Sequence, residues 1–213
     1  MRFASLVAAA LCLGAGSALA ADTAPRGPLN FTVLRDGEAV GTHVVRFQSS
    51  SDDSLQVSVD TNVVVKMAMI PVYRFEHRGR EMWKDGHLVA LSSETNDDGT
   101  HHNLKVSGDS AGLAVNGDGV ASHMPVETLP ASLWNSGTVA RSNLLNTLDG
   151  HAMAVRIADL GTEQVSASGR TIAAHHYAMT GDLSRELWYD GSGTLVQVRF
   201  KAKDGSDIQY VLR

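Results

Sequence analysis

The chain has 213 residues, with 18 Lys plus Arg against 23 Asp plus Glu and a net charge of −5. That mildly acidic balance, with no basic stripe, argues against a nucleic-acid partner. The length fits a single domain, and one cysteine in the whole chain excludes a disulfide framework or a cysteine metal site.

The first twenty residues read as a secretory signal peptide. Arg2 supplies the positive start, Leu6 to Ala15 an apolar run, and Ala18-Leu19-Ala20 a small-x-small cleavage site. Cleavage after Ala20 predicts a periplasmic or secreted protein and removes Cys12. The apolar run is too short to cross a ~30 Å hydrocarbon core. Leu11, directly before Cys12, is too large for lipoprotein processing. No second apolar run reaches spanning length, so no integral membrane protein is expected. Residues 21–28 form a short flexible leader, and residues 29–213 a single all-β domain.

Seven Asp-Gly pairs punctuate that domain, at 36, 85, 98, 118, 149, 190 and 204. Gly takes positive φ at no steric cost and Asp tolerates it, so the pair suits the turns that join twisted antiparallel strands. Leu29, Phe31 and Val33 alternate into the first of them, and Val40 to Gln48 forms the partner strand. Leu55, Val57, Val59, Thr61, Val63, Val65, Met67 and Met69 then occupy every odd position, predicting a strand long enough to require a curled sheet. Met67 and Met69 are expected to add adaptable contacts inside it. After Pro71 the alternation resumes: Tyr73, Phe75, His77, Gly79, Glu81 and Trp83 share the inner face, while Arg74, Glu76, Arg78, Arg80 and Lys84 share the solvated one. Further strands are predicted at 87–95, 101–106, 113–115, 152–158, 171–179, 185–189, 195–202 and 208–212. Only residues 125–148 depart from this style. There Pro125, Pro130 and Leu133-Trp134 predict an irregular loop, and Ser142 is placed to cap a helical turn over 143–146. The fold class is therefore all-β: a long antiparallel meander curled into a barrel or half-barrel, with one short helical or irregular segment.

The densest polar stretch runs from Glu94 to Asn103. Glu94, Asp97 and His102 are the candidate catalytic residues, as an acid–base set or a divalent-cation site on one hairpin; turn geometry alone also explains Asn, Asp and Gly there. His101 and His102 are adjacent on a strand and face opposite ways, so only His102 can join such a site. An inward Glu81 needs a partner or a raised pKa, unless a bulge at Gly79 returns it to water. Trp134 and Asn135 are placed to cover one end of a barrel, with Trp supplying area and Asn directed hydrogen bonds. No Walker loop, dinucleotide fingerprint, His-Glu-x-x-His or nucleophile elbow occurs. No cofactor or metal is expected.

The run Val72-Tyr73-Arg74-Phe75-Glu76-His77-Arg78, followed by Glu81-Met82-Trp83, Glu94 to Gly99, Leu133-Trp134-Asn135, Leu187-Trp188-Tyr189-Asp190 and Asp204 to Ile208, resembles the bacterial family called domain of unknown function 6134. The resemblance implies an exported all-β domain, similar in style to curled-sheet proteins that carry lipids, and transfers no catalytic residue.

Three readings follow. The first is a carrier that binds an apolar or lipid-like small molecule against Phe75, His77, Trp83, Trp134 and Asn135. The second is an envelope enzyme using Glu94, Asp97 and His102. The third is a structural or assembly factor, which requires an exposed apolar patch or an unpaired edge strand.

Overall fold

The computed structural model describes residues 24–213; residues 1–20, where a signal peptide is expected from the sequence, lie outside them. Fifteen strands form one sheet. Eight lie in sequence on one side: β1 (Leu29–Arg35), β2 (Glu38–Ser49), β3 (Ser54–Met67), β4 (Ile70–Lys84), β5 (His87–Asp97), β6 (Thr100–Asp109), β7 (Gly112–Gly117) and β8 (Val120–Met124). The rest follow the irregular segment: β9 (Leu129–Pro130), β10 (Asn143–Leu145), β11 (Ala152–Ala167), β12 (Arg170–Gly181), β13 (Arg185–Asp190), β14 (Leu195–Lys201) and β15 (Asp207–Leu212). Every pairing is antiparallel except β9 with β10.

Hairpin order accounts for each half, and β1 pairing with β15 joins them. β8 and β9 are thereby left at opposite edges of the sheet, although only Pro125–Thr128 separates them in sequence. Five Cα steps reach no more than about 17 Å, so the sheet must curl until its edges nearly meet. The barrel stays open at this seam because no ladder joins β8 to β9.

The irregular segment fills one end. Leu129, Trp134, Leu144 and Leu145 are buried in the main core with Phe31, Val45, Val57, Trp83, Leu104 and Leu113. Backbone approach is close here: a Cβ on Gly117 would lie 1.5 Å from the Asp149 carbonyl oxygen. The helical turn falls at Ser136–Ala140, a 3-10 turn capped by the Asn135 side chain, and not at 143–146 as expected. Asn143–Leu145 is instead strand β10, because its extended backbone completes the pairing between β9 and β11.

Four of the seven Asp-Gly pairs, at 36, 85, 98 and 118, have both residues at positive φ. The one at 149 has only its Gly there, and so has that at 204. At Asp190 the carboxylate instead accepts backbone N–H groups from Ser192 and Thr194. β11 outruns its predicted length. Past an irregularity between Asp159 and Gly161 it bends, and Val165 and Ala167 join Ala174 over Trp188 and Val196, on the opposite side of β13 from core residues Leu187 and Tyr189.

The inward placing of Met67 and Met69 is corrected: they are 70% and 85% exposed. β2 accompanies β3 only as far as Val63, and β5 accompanies β4 only as far as Phe75. Beyond those pairs the β3–β4 hairpin is a two-stranded ribbon that no third strand joins, and its end has no interior to face.

The close approach at Gly117 yields the first prediction. Gly117→Ala must displace the Asp149–Gly150 backbone, with an expected loss of about 1–3 kcal/mol of stability. An unchanged urea midpoint would refute the packing of the irregular segment on β7.

Candidate functional site

The inner face of β4 carries the site. Period two predicts that Glu81 points inward, and it does: it is 2% exposed, and the register with β3 runs unbroken through Gly79. The irregularity on the β5 side falls later, between Met82 and Trp83. The Glu81 carboxyl accepts from two indoles on the same oxygen, Trp83 Nε1 at 2.8 Å and Trp134 Nε1 at 2.9 Å. Ser132 lines the same cavity as Glu81. The two indole rings meet edge-on, 5.5 Å between centroids, and Phe47 packs edge-on against Trp134 at 5.2 Å.

Two opposing effects act on that carboxyl. Hydrogen bonds to a charged group contribute roughly 1.5–3 kcal/mol each, whereas removing a carboxylate from water costs several kcal/mol even after relaxation. Burial wins, and the Glu81 pKa is raised.

Above Glu81 a row of polar side chains crosses the sheet. Starting beside the apolar Phe31 of β1, His43, Thr61, His77, Thr95 and His102 are successive cross-strand partners through β6. His43 Nδ1 lies 2.7 Å from the Thr61 hydroxyl and His77 Nδ1 lies 2.7 Å from that of Thr95. Burial lowers both imidazoles from 6.5 to about 4, so each is neutral at pH 7. Gly79 gives His77 room: a Cβ there would lie 3.2 Å from its Nε2.

Of these, His43, Thr61 and His77 border, together with Glu81, a cavity of about 310 Å3 that opens to solvent. Val59, Phe75, Leu91, Leu183, Val198 and Phe200 provide apolar wall; His43, His77, Glu81 and Ser132 are polar points on it. Arg185 lines the opposite side, its guanidinium 3.7 Å from the centre of the Phe200 ring and its Nη1 donating to the Ser184 carbonyl at 2.7 Å.

Phe75 and His77 therefore line the cavity. Trp83 and Trp134 stand behind it, holding Glu81, and Asn135 is buried as a cap that accepts from Gly137 N–H at 2.8 Å. The hairpin residues do not converge. Glu94 is exposed on the outer face, Asp97 accepts from the Tyr73 hydroxyl at 2.7 Å, and His102 pairs with Asp118 at 2.6 Å. Among the described residues no three His, Cys, Asp or Glu side chains are grouped to hold a metal ion. Sequence reasoning missed His43, Thr61 and Thr95. Thr61 was legible as an inward position, but the pairings depend on cross-strand register.

A curled all-β sheet with a mixed cavity is the class of protein that this geometry defines. The chain belongs to the family described as domain of unknown function DUF6134, whose model matches residues 31–213. The fold is also similar to the crystal structure of a β-barrel-like protein of domain of unknown function DUF1849 from Brucella abortus. That likeness has a TM-score of 0.62 at 9% identity and covers 87% of this chain and 95% of that one; it concerns the fold alone. No curated protein matches the sequence.

The buried groups predict a pH signature. Between pH 6.5 and about 4 the unfolded chain binds protons at His43 and His77 while the folded chain does not, so their contribution to stability falls as pH drops. It amounts to up to about 3 kcal/mol each. Glu81 acts oppositely. Its raised pKa contributes stability at low pH that is lost as pH rises above the ordinary 4.5. Urea unfolding at several pH values separates them: Glu81→Gln steepens the rise of stability with pH, and His43→Asn with His77→Asn removes that rise. Parallel profiles for all three proteins would contradict the assignment.

Proposed function

We propose that this protein is an exported carrier that binds an apolar or lipid-like molecule in the cavity between β4 and β14. The observation that carries the reading is the cavity itself. A core of this kind ordinarily closes to crystal-like density, whereas here about 310 Å3 stays open above a filled end. Specific small-molecule sites are typically concave and apolar with a few placed polar groups, and Glu81, His77, His43 and Ser132 supply such groups. Residues 1–20, with their charged start, apolar run and Ala18-Leu19-Ala20, support export to the periplasm.

The enzyme reading draws less support, because Glu94, Asp97 and His102 have separate partners or face apart. Acid–base chemistry requires them within hydrogen-bond reach of one reacting atom.

Titration with two fluorescent probes, cis-parinaric acid and neutral N-phenylnaphthylamine, tests the carrier. Saturable binding of at least one is expected, weakened about tenfold or more, some 1.4 kcal/mol, by Ala131→Trp, which fills the cavity from a half-buried lining position. Equal binding by the variant, with its fold intact by circular dichroism, would place the probe elsewhere and refute the reading.

A further inference from the structure

We infer that the cavity receives an amphiphile with an oxyanion head, a carboxylate or phosphate, and that Arg185 binds that head; this rests on the carrier reading above. Three other arginines are ion-paired: Arg35 with Asp204, Arg46 with Asp60 and Arg199 with Glu186. Arg185 is half-buried, yet no carboxylate oxygen of the described residues lies within 4.0 Å of its charged group. A sequestered cation without a counter-charge is costly. Stacking on Phe200 and one bond to the Ser184 carbonyl leave most of its five donors unused. Its planar fork matches a carboxylate or phosphate.

The surroundings favour that occupant. Tyr210 lines the same wall, packs edge-on against Phe200 at 6.0 Å and feels the Arg185 charge. Its phenol, kept protonated by burial, is a second donor. His43 and His77 are uncharged at pH 7, and His151, which also lines the cavity, is held by the Asp149 carboxylate at 2.6 Å; Arg185 is the cation without a carboxylate partner that the cavity offers a head group. Asp182 also borders the cavity, but its carboxylate accepts from the Ala154 backbone N–H at 2.9 Å. The apolar wall of Phe75, Leu91 and Val198 then faces the tail.

Displacement of whichever probe the wild type binds, N-phenylnaphthylamine or cis-parinaric acid, by decanoic acid, decyl phosphate and decanol tests this. The wild type is expected to prefer the acid or the phosphate over decanol by at least about tenfold, and whichever anion binds tighter identifies the head. Arg185→Met should erase the preference while leaving decanol unchanged. A preference that survives the substitution, or a wild type that binds decanol equally well, overturns the role of Arg185 and leaves the carrier standing. Failure of all three to displace the probe overturns both.

Independently, we propose that the end of the β3–β4 ribbon docks on an anionic lipid surface. Met67, Met69, Ile70 and Val72 are 70%, 85%, 66% and 49% exposed, clustered where the ribbon has left its neighbours. The turn is unusual for this chain. Ala68 and Met69 both take positive φ, 48° and 71°. The other adjacent pairs with this geometry among the described residues all end in Gly: Asp36-Gly37, Asp85-Gly86, Asp98-Gly99, Asp118-Gly119 and Ser168-Gly169. Two side chains are thus held in a disfavoured region, with Met69 at the outermost point.

Charge and area select the occupant. From Val63 to Phe75 the only charges are Lys66 and Arg74, in a chain of net −5. An apolar tip flanked by cations suits insertion between anionic headgroups. Four side chains at a ribbon's end fall well short of the roughly 800 Å2 per partner of a stable protein interface, which argues against a second copy.

Co-sedimentation with equimolar phosphatidylglycerol–phosphatidylethanolamine vesicles, and with phosphatidylcholine alone, tests the docking. The wild type should pellet with the anionic vesicles. A68N/M69G combined with M67S and I70S, which installs a favoured turn and so preserves the hairpin, should lose at least about tenfold in affinity, about 1.4 kcal/mol. Ala131→Trp should pellet as the wild type does, separating docking from the cavity. Undiminished pelleting of the tip variant, no pelleting of the wild type, or a wild-type dimer that the tip variant converts to monomer overturns the proposal.

Discussion

One buried carboxyl organises the functional end of this protein. Glu81 lies on the inner face of the longest strand described apart from β11, and two indole N–H groups converge on one of its oxygens. Trp83 comes from the same strand and Trp134 from the segment that fills the barrel end. The carboxyl therefore ties wall to plug. A hydrocarbon of similar size could fill the same volume, but would strand two buried donors at roughly 1–3 kcal/mol each. The site is costly to alter piecemeal and specific in geometry, as expected where polarity fixes one packing among several.

The plug explains why the interior is divided. The two sheet edges are joined by only four residues, so the chain must cross the seam at one end and then descend inside. Trp134, Leu144 and Leu145 are buried at that end. Above them the row from His43 to Thr95 replaces hydrocarbon with neutral imidazoles and hydroxyls, each satisfied by its neighbour. Such a row does not close over as hydrocarbon does, because its polar atoms stay with the hydrogen-bond partners that strand register gives them. Open volume remains where the plug stops and the row begins.

Much of this was legible in the sequence, and the limits have physical causes. Alternation from Tyr73 to Trp83 assigned Glu81 and His77 to the inner face, because a strand's period is local information. The same reasoning was open for Arg185, which shares parity with Leu187 and Tyr189 on β13. The Trp134 bond to Glu81 was not readable, since it joins residues 53 apart through a segment without periodicity. Met67 and Met69 kept the period yet lie outside, because alternation reports which face a residue takes and not whether the sheet still continues on either side. Ser142 looked like a helix cap, but pairing partners for Asn143–Leu145 prevailed over local propensity. The Glu94–His102 hairpin looked dense in sequence; strand alternation sends Glu94 to the opposite face from the interior.

The open space above Glu81 is where a bound molecule would sit. Native mass spectrometry of the protein recovered from the cells that produce it, followed by solvent extraction, tests this directly. An additional organic mass is expected, released on denaturation and absent when Ala131 is replaced by Trp. A bare polypeptide mass, or an adduct retained unchanged by that variant, would contradict it.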